Sequence, residues 1–266
     1  MTILDKIVRA KRRETEKRKA ITAVSLLEQS LQFSAGTFSL EKSLRENEGY
    51  GIIAEFKKQS PSRGIINPEA DPGEVCSRYI SSGASAVSIL TDSEFFGGSI
   101  ANLVNTRKLI SAPVLRKDFI IDEYQIIESK SIGADVILLI ADILTKEEMK
   151  KFSSLAESLG MEVLFEIHDE SGIDKLPPGA RLVGVNSRNL GNFSIDMDIL
   201  KRTINMLPSD AVKIAESGID SADTLLNLKN EGFGGFLIGE LFMRNADPGK
   251  ACEDFIKNLK ELMTCK

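Results

Sequence analysis

Apolar positions in the chain first follow a helical period and then change rhythm. Over residues 2–20 they recur at Ile3, Leu4, Ile7 and Val8, the spacing of one helical face, with Thr2 placed to cap it. Shorter helical patterns are predicted at Val24–Ser30 and from Phe38 to Arg45. From Tyr50 onward, short β-branched apolar runs alternate with amphipathic stretches. The runs predict strands over Tyr50–Phe56, Ala84–Thr91, Pro113–Asp118, Asp135–Ala141, Glu162–Ile167, Leu182–Asn186, Val212–Glu216 and Gly235–Gly239. The stretches between them predict helices over Glu74–Ser82, Ser99–Ile110, Asp122–Ser131, Thr145–Leu159, a short piece before Pro177, Asp196–Leu207, Ser221–Asn230 and Asp247–Met263. Thr145 and Glu148 have the spacing of a capping box, glycines at 83, 133 and 232 stop helices, and Pro248 suits a first turn.

Eight strands, each followed by a helix and apolar on both faces, describe a parallel sheet covered on both sides. Strand ends recur roughly 20 to 35 residues apart, close to the ~30 residues of a βαβ unit. No Rossmann glycine fingerprint is present. The expected fold class is therefore α/β, a (β/α)8 TIM barrel with extra N-terminal helices. A single domain is expected over 1–266, with 1–48 as a helical extension and 49–266 as the barrel.

Composition removes several function classes. The net charge of −5 is modest, Trp is absent and aromatic residues are few, so no nucleic-acid surface is expected. No apolar run is long enough to span a bilayer, and the charged N-terminus is not a signal peptide. No membrane partner and a cytoplasmic location are expected. Cys76, Cys252 and Cys265 are widely spaced and read as free thiols. With one histidine and no paired cysteines, no metal site is expected. Arg9 to Lys19 holds seven basic residues interleaved with Glu14 and Glu16, and reads as the solvated side of the first helix.

Barrels of this kind carry their chemistry at the carboxyl ends of the strands. Polar residues crowd there: Glu55, Lys57 and Ser60 after the first run, Asp92 to Gly98 after the second, Arg116-Lys117-Asp118 after the third. Leu138 lies in the fourth, Glu166 ends the fifth, Asn186-Ser187-Arg188 the sixth, Glu216-Ser217-Gly218 the seventh and Gly239-Glu240 the eighth. Ser217-Gly218 and Gly239-Glu240 stand where such barrels hold a phosphate. Glu55 and Lys57, two apart on a strand, share a face. Lysines and carboxylates held close in a dry pocket shift each other's pKa values, which suits proton transfer. Residue types alone leave a Schiff-base aldolase open, with Lys57 or Lys117 as nucleophile. They also leave open a sugar-phosphate isomerase and a non-catalytic barrel that binds a phosphorylated ligand. His168, two residues on from Glu166, is open as a proton shuttle but reads as the start of the next helix and is left out of the site. Gly64 and Gly97-Gly98 mark loops one and two as candidate lids.

Six segments narrow this further. They are Ile-Ala-Glu-Phe-Lys-Lys-Gln-Ser-Pro-Ser at 53–62, Val-Leu-Arg-Lys-Asp-Phe-Ile at 114–120, Val-Leu-Phe-Glu-Ile-His at 163–168, Gly-Val-Asn-Ser-Arg-Asn-Leu at 184–190, Ala-Glu-Ser-Gly-Ile at 215–219 and Phe-Leu-Ile-Gly-Glu at 236–240. In this order, on six strands, they resemble the indole-3-glycerol phosphate synthase family across nearly the whole chain. The resemblance implies a cofactor-free carboxy-lyase of tryptophan biosynthesis. Its phosphorylated small-molecule substrate is 1-(2-carboxyphenylamino)-1-deoxyribulose 5-phosphate; its products are indole-3-glycerol phosphate, carbon dioxide and water. It implies Lys117 as the acid at the carbonyl oxygen, Glu166 as its carboxylate partner and base, Lys57 at the substrate carboxylate and Glu55 as the residue that tunes the lysines. Which lysine serves which step stays open. Asn186 and Glu216 would meet the sugar hydroxyls and anilino nitrogen, and Arg188 would keep the site polar and oriented. Ser60, Ser217, Gly218, Gly239 and the backbone of Glu240 would hold phosphate; Phe96 and Leu138 would pack on the aromatic ring. The chain departs from the pattern at Gln59, where a basic residue is common, and at Leu241, where a small one is usual. Because it ends after the eighth helical pattern, a monofunctional enzyme is expected, as a monomer with a homodimer left open.

Overall fold

The structure, a computed structural model, describes residues 2–46, 50–189, 191 and 193–264. Eight parallel strands close into a barrel in chain order: β1 (Ile52–Phe56), β2 (Ala86–Leu90), β3 (Val114–Lys117), β4 (Val136–Ile140), β5 (Glu162–Ile167), β6 (Leu182–Asn186), β7 (Val212–Glu216) and β8 (Gly235–Ile238). The ring closes where β8 pairs with β1, Leu237 opposite Ile53. Each strand lies within its predicted run, and the (β/α)8 architecture is as expected.

Two apolar layers explain why the runs are continuous. Successive side chains on a strand point to opposite faces. Ile53, Leu115, Leu138, Leu164, Ile214 and Leu237 meet inside the barrel. Their neighbours Ile52, Val114, Leu139, Phe165, Val183 and Phe236 face outward and pack with the surrounding helices. Both faces are dry, so neither shows a polar alternation.

The N-terminal segments pack onto the two ends of the barrel. Helix Leu40–Glu46 adds Leu40 and Leu44 to the interior cluster. It is held there by Glu162, the first residue of β5, which accepts from the Leu40 and Glu41 amides at 2.8 and 3.0 Å. A carboxylate at a helix N-terminus is stabilising because the first amides lack partners and carry partial positive charge. Truncating the fully buried Leu40 to alanine would cost about 2–5 kcal/mol through lost transfer energy and the cavity left behind.

Helix Ile3–Ile21 starts at a capping box in which Thr2 and Asp5 exchange hydrogen bonds of 2.8 and 3.1 Å. It lies against the carboxyl ends of β2 and β3, and its basic stretch is not simply a solvated face. Lys11 is 2% exposed, with Nζ 2.9 Å from Asp92, 2.8 Å from Asp118 and 2.6 Å from Glu14. Arg18 reaches Glu128 at 2.9 Å. The expectation misses this because buried lysine and solvated lysine look alike in a hydropathy pattern. Only Asp92 and Asp118, distant in sequence, make Lys11 a core residue.

Other differences are local. Helix Asp196–Leu207 shrinks to Asp198–Thr203, because Asp196 donates its amide to the Ser187 carbonyl and accepts from the Asp198 amide. Helix Ser99–Ile110 stops at Arg107. A short hairpin, Gln59–Ser60 with Gly64–Ile65, follows β1, and one helical turn, Glu240–Met243, follows β8. Both are too short for a periodic signature. The boundary drawn at residues 48 and 49, Leu190 of the fourth segment, and Cys265 lie outside the described residues.

Candidate active site

The carboxyl ends of the strands surround a cavity of about 550 Å³. All fourteen positions singled out in the sequence line it: Glu55, Lys57, Ser60, Phe96, Lys117, Leu138, Glu166, Asn186, Arg188, Glu216, Ser217, Gly218, Gly239 and Glu240. Strand alternation does the sorting on β3. Arg116 faces outward, fully buried, and binds Asp118, Glu128, Thr91 and Ser129. Lys117, the next residue, faces the cavity.

Lys117 stands between two carboxyls. Its Nζ is 2.6 Å from Glu166 Oε2 and 3.2 Å from Glu216 Oε2. Burial favours the neutral amine, but Glu166, Glu216 and Glu55 outweigh it and hold the ammonium well above its ordinary pKa. Burial also pushes both carboxyls up. For Glu166 the effect is overcome by Lys117 and then by His168, so its pKa falls to about 2. For Glu216 burial prevails over Lys117, with Glu166 adding repulsion, and the carboxyl sits well above its usual range. The two carboxyls are thus driven apart: Glu166 is held ionised, and Glu216 is the more readily protonated of the two. Neither Glu216 oxygen completes a hydrogen bond within the protein, although both are buried. A second pair, Lys57 Nζ with Glu55 Oε1 at 2.6 Å, faces the same space from β1.

The opposite rim is built from backbone and arginine. Ser217 and Gly218 both have positive φ, 66° and 74°, and a Cβ on Gly218 would lie 2.3 Å from Met197 Sδ. Only glycine fits the second position, and a non-glycine at the first carries strain of a kind that concentrates at functional sites. A Cβ on Gly239 would lie 2.5 Å from Glu55 Oε1, so the β8 backbone can approach the β1 carboxylate only because the residue is glycine. Glu240 accepts from Arg63 Nε at 2.9 Å and Arg188 Nη2 at 3.4 Å. Ser60 Oγ lies 3.3 Å from Ser62 Oγ, and Asn186 Oδ1 accepts from the Arg188 amide at 3.0 Å. On the apolar side Phe96 tilts against Phe119, centroids 5.9 Å apart, and Leu138 also lines the cavity.

A family model described as indole-3-glycerol phosphate synthase matches residues 4–255. The protein of that name from Bacteroides thetaiotaomicron is 41% identical over 258 residues, covering 97% of this chain and 99% of the relative. Its namesake in Campylobacter jejuni strain RM1221 is 42% identical over 254 residues, covering 94% and 98%. The chain belongs to the indole-3-glycerol phosphate synthase family. It has the activity of that family, a decarboxylating lyase of tryptophan biosynthesis. Among solved structures, tryptophan synthase subunit alpha from Legionella pneumophila matches with TM-score 0.61 at 14% identity, over 85% of this chain and 98% of that one. The 3-hexulose-6-phosphate synthase of Salmonella typhimurium gives 0.60 at 14%, over 79% and 99%. At such identity these two show the shared barrel fold alone.

Several cavity or near-cavity residues of this family member escaped the sequence reading. Arg63 sits beyond the Ser-Pro-Ser turn and reaches Glu240, 177 positions away. Phe193 and Ile195 line the cavity from the loop after β6, where no periodic pattern marks them, and Met197 joins them from the position before helix Asp198–Thr203. His168 does not begin a helix. It directly follows β5, with Glu166 on one side and Asp142 on the other. The Glu-x-His spacing was its only sequence signal.

Proposed function

We propose that ring closure, decarboxylation and dehydration of the carboxyphenylamino-deoxyribulose phosphate take place in this cavity, with Lys117 as acid and Glu166 as base. The anthranilate ring carbon bearing the carboxylate attacks the ribulose carbonyl. A carbon–carbon bond forms, and the carbonyl oxygen takes a proton from the Lys117 ammonium. Loss of carbon dioxide returns its bonding electrons to the ring. The new hydroxyl then leaves as water, with proton donation from a lysine, and a proton passes to Glu166 as the pyrrole ring forms. The observation that carries this reading is a buried ammonium bracketed by two carboxyls whose protonation states are driven apart. It also weighs against a Schiff-base aldolase at Lys117. Such a nucleophile needs a free amine, and this one is held protonated. The developing alkoxide is more basic than the ammonium, so proton transfer remains favourable.

In this reading Lys57, tuned by Glu55, meets the substrate carboxylate. Asn186 and Glu216 meet the sugar hydroxyls. Ser60, Ser217, Gly218, Gly239 and the Glu240 amide receive the phosphate. Phe96 and Leu138 flank the aromatic ring. Arg188 and Arg63 offset the Glu240 carboxylate, which would otherwise repel phosphate. The reading treats 1–266 as one domain, since helix Leu40–Glu46 and helix Ile3–Ile21 both pack onto the barrel. The test is indole-3-glycerol phosphate fluorescence with wild-type protein and Lys117→Ala. A loss of about 10²–10⁴ in kcat with unchanged circular dichroism is expected for a general acid. Wild-type turnover in the variant would overturn the assignment.

A further inference from the structure

The reaction as written leaves one buried titratable cluster unused. His168 is the only histidine of the chain, and its side chain is 7% exposed. Nε2 lies 3.3 Å from Glu166 Oε1, the oxygen that Lys117 does not hold. Nδ1 lies 3.3 Å from Asp142, which follows β4. Neither nitrogen completes a well-angled hydrogen bond, so the ring meets the two carboxylates mainly as a charge between them. Asp142, His168, Glu166 and Lys117 form a continuous line from the half-exposed rim to the cavity.

We propose that His168, backed by Asp142, is a positioning residue that holds the Glu166 carboxylate from the side opposite Lys117 and tunes its strength as a base. The proposal rests on the reading of Glu166 as the base. The charged groups that face the imidazole are Asp142 after β4, Glu166 on β5, Lys117 from β3 and the neighbouring Asp169. Burial favours the neutral ring, but Asp142 and Glu166 outweigh burial and the repulsion from Lys117, so the pKa is raised above 6.5. A charged imidazolium weakens Glu166 as a base; a neutral ring leaves it stronger. Dehydration therefore speeds up as pH rises through the His168 titration. A ring that only filled space would leave the pH profile unchanged.

The single histidine makes the test direct. Its imidazole carbon–proton signal in the NMR spectrum of the full chain needs no assignment. The midpoint should lie above 6.5 in wild type and move down in Asp142→Asn and in Glu166→Gln. Above the His168 midpoint, where the wild-type ring is neutral, His168→Asn should lower kcat on the order of tenfold, less than loss of the acid or base itself. KM should stay within about twofold, and the acid limb of the kcat profile should disappear. His168→Gln repeats the test should the asparagine variant fold poorly, and Asp142→Asn alters a partly exposed residue. A midpoint unmoved by both carboxylate changes, or a kcat profile of the histidine variants that matches wild type, would overturn the proposal. The NMR arm needs no turnover, so its failure is distinct from failure of the catalytic reading, which Lys117→Ala addresses.

Discussion

Replacing Lys11 by methionine should loosen the N-terminal helix and impair catalysis together. Methionine keeps most of the side-chain volume and removes the ammonium. In the native protein that ammonium lies within 2.9 Å of Glu14, Asp92 and Asp118. Without it Asp118 retains Arg116 at 3.1 Å and the Thr91 hydroxyl at 2.6 Å. Asp92 retains the Phe95 amide at 2.8 Å and becomes the least compensated buried charge. Removing one partner from a buried ion pair costs about 3–5 kcal/mol, and the remaining partners of Asp118 put this case near ~3 kcal/mol. For a chain of this size that corresponds to a fall in Tm of roughly 6–12 °C. Asp118 follows Lys117 and Asp92 precedes Phe96, so kcat should fall as well. Thermal unfolding by circular dichroism, with a fluorescence rate assay, reads both. The double variant Lys11→Met/Asp92→Asn should recover much of the loss, because the orphaned charge is gone. A Tm within about 2 °C of wild type, or additive effects in the double variant, would refute the reasoning, since surface pairs contribute only about 0–1 kcal/mol.

Two further outcomes follow from the same burial. Burial raises the Asp118 carboxyl, but Lys11 and Arg116 outweigh it and hold its pKa well below the usual range. A depressed folded pKa contributes stability above the unfolded value, about 3.9, and loses it as pH falls through the folded one. The stability gap between wild type and Lys11→Met should therefore persist from pH 7 to about 5 and narrow below about pH 4; a gap equal at pH 7 and at about 2.5 in urea titrations would count against it. Burial also pushes the Cys76 and Cys252 thiols up to about 12. Both should resist a maleimide at pH 8 in the native protein and react once it is unfolded in urea, read by peptide mass spectrometry; native labelling within minutes would contradict their burial.

The barrel was legible because its physics repeats eight times. Val136–Ile140 and its counterparts are apolar on both faces, and this alone distinguishes a doubly covered parallel strand from a half-solvated one. Site positions were legible for a related reason. Glu55, Lys57, Lys117, Glu166 and Glu216 are charges that interrupt or end apolar runs, and the strand period aims them at one space. Lys11 was not legible, because its partners Asp92 and Asp118 are far away in sequence and its neighbours are surface-like. Arg63 and Glu240 lie on a loop and a single helical turn, where no period exists to reveal their contact. His168 sits at a strand end like the catalytic candidates, but a histidine there also starts helices. Only the position of Asp142 across the gap between β4 and β5 gives it a role.

The charge balance of the cavity ties these residues to an anionic substrate. Lys57 with Glu55, and Lys117 with Glu166, are two neutral pairs. Arg63 and Arg188 share the Glu240 carboxylate at the rim proposed to receive phosphate. Ionised, Glu216 would place a second carboxylate charge beside Glu166. Burial and Glu166 drive its pKa up, which makes it the more readily protonated of the two carboxyls. A substrate that brings both a carboxylate and a phosphate would then meet one ionised carboxyl fewer. Protonated, Glu216 would donate as well as accept hydrogen bonds to the substrate hydroxyls that the proposed function assigns to it. On this argument Glu216→Gln, which fixes the neutral form, should leave KM less affected than Glu216→Asp, which shortens the reach and favours ionisation. A larger KM for the glutamine variant in steady-state assays would show that ionised Glu216 is what the substrate meets.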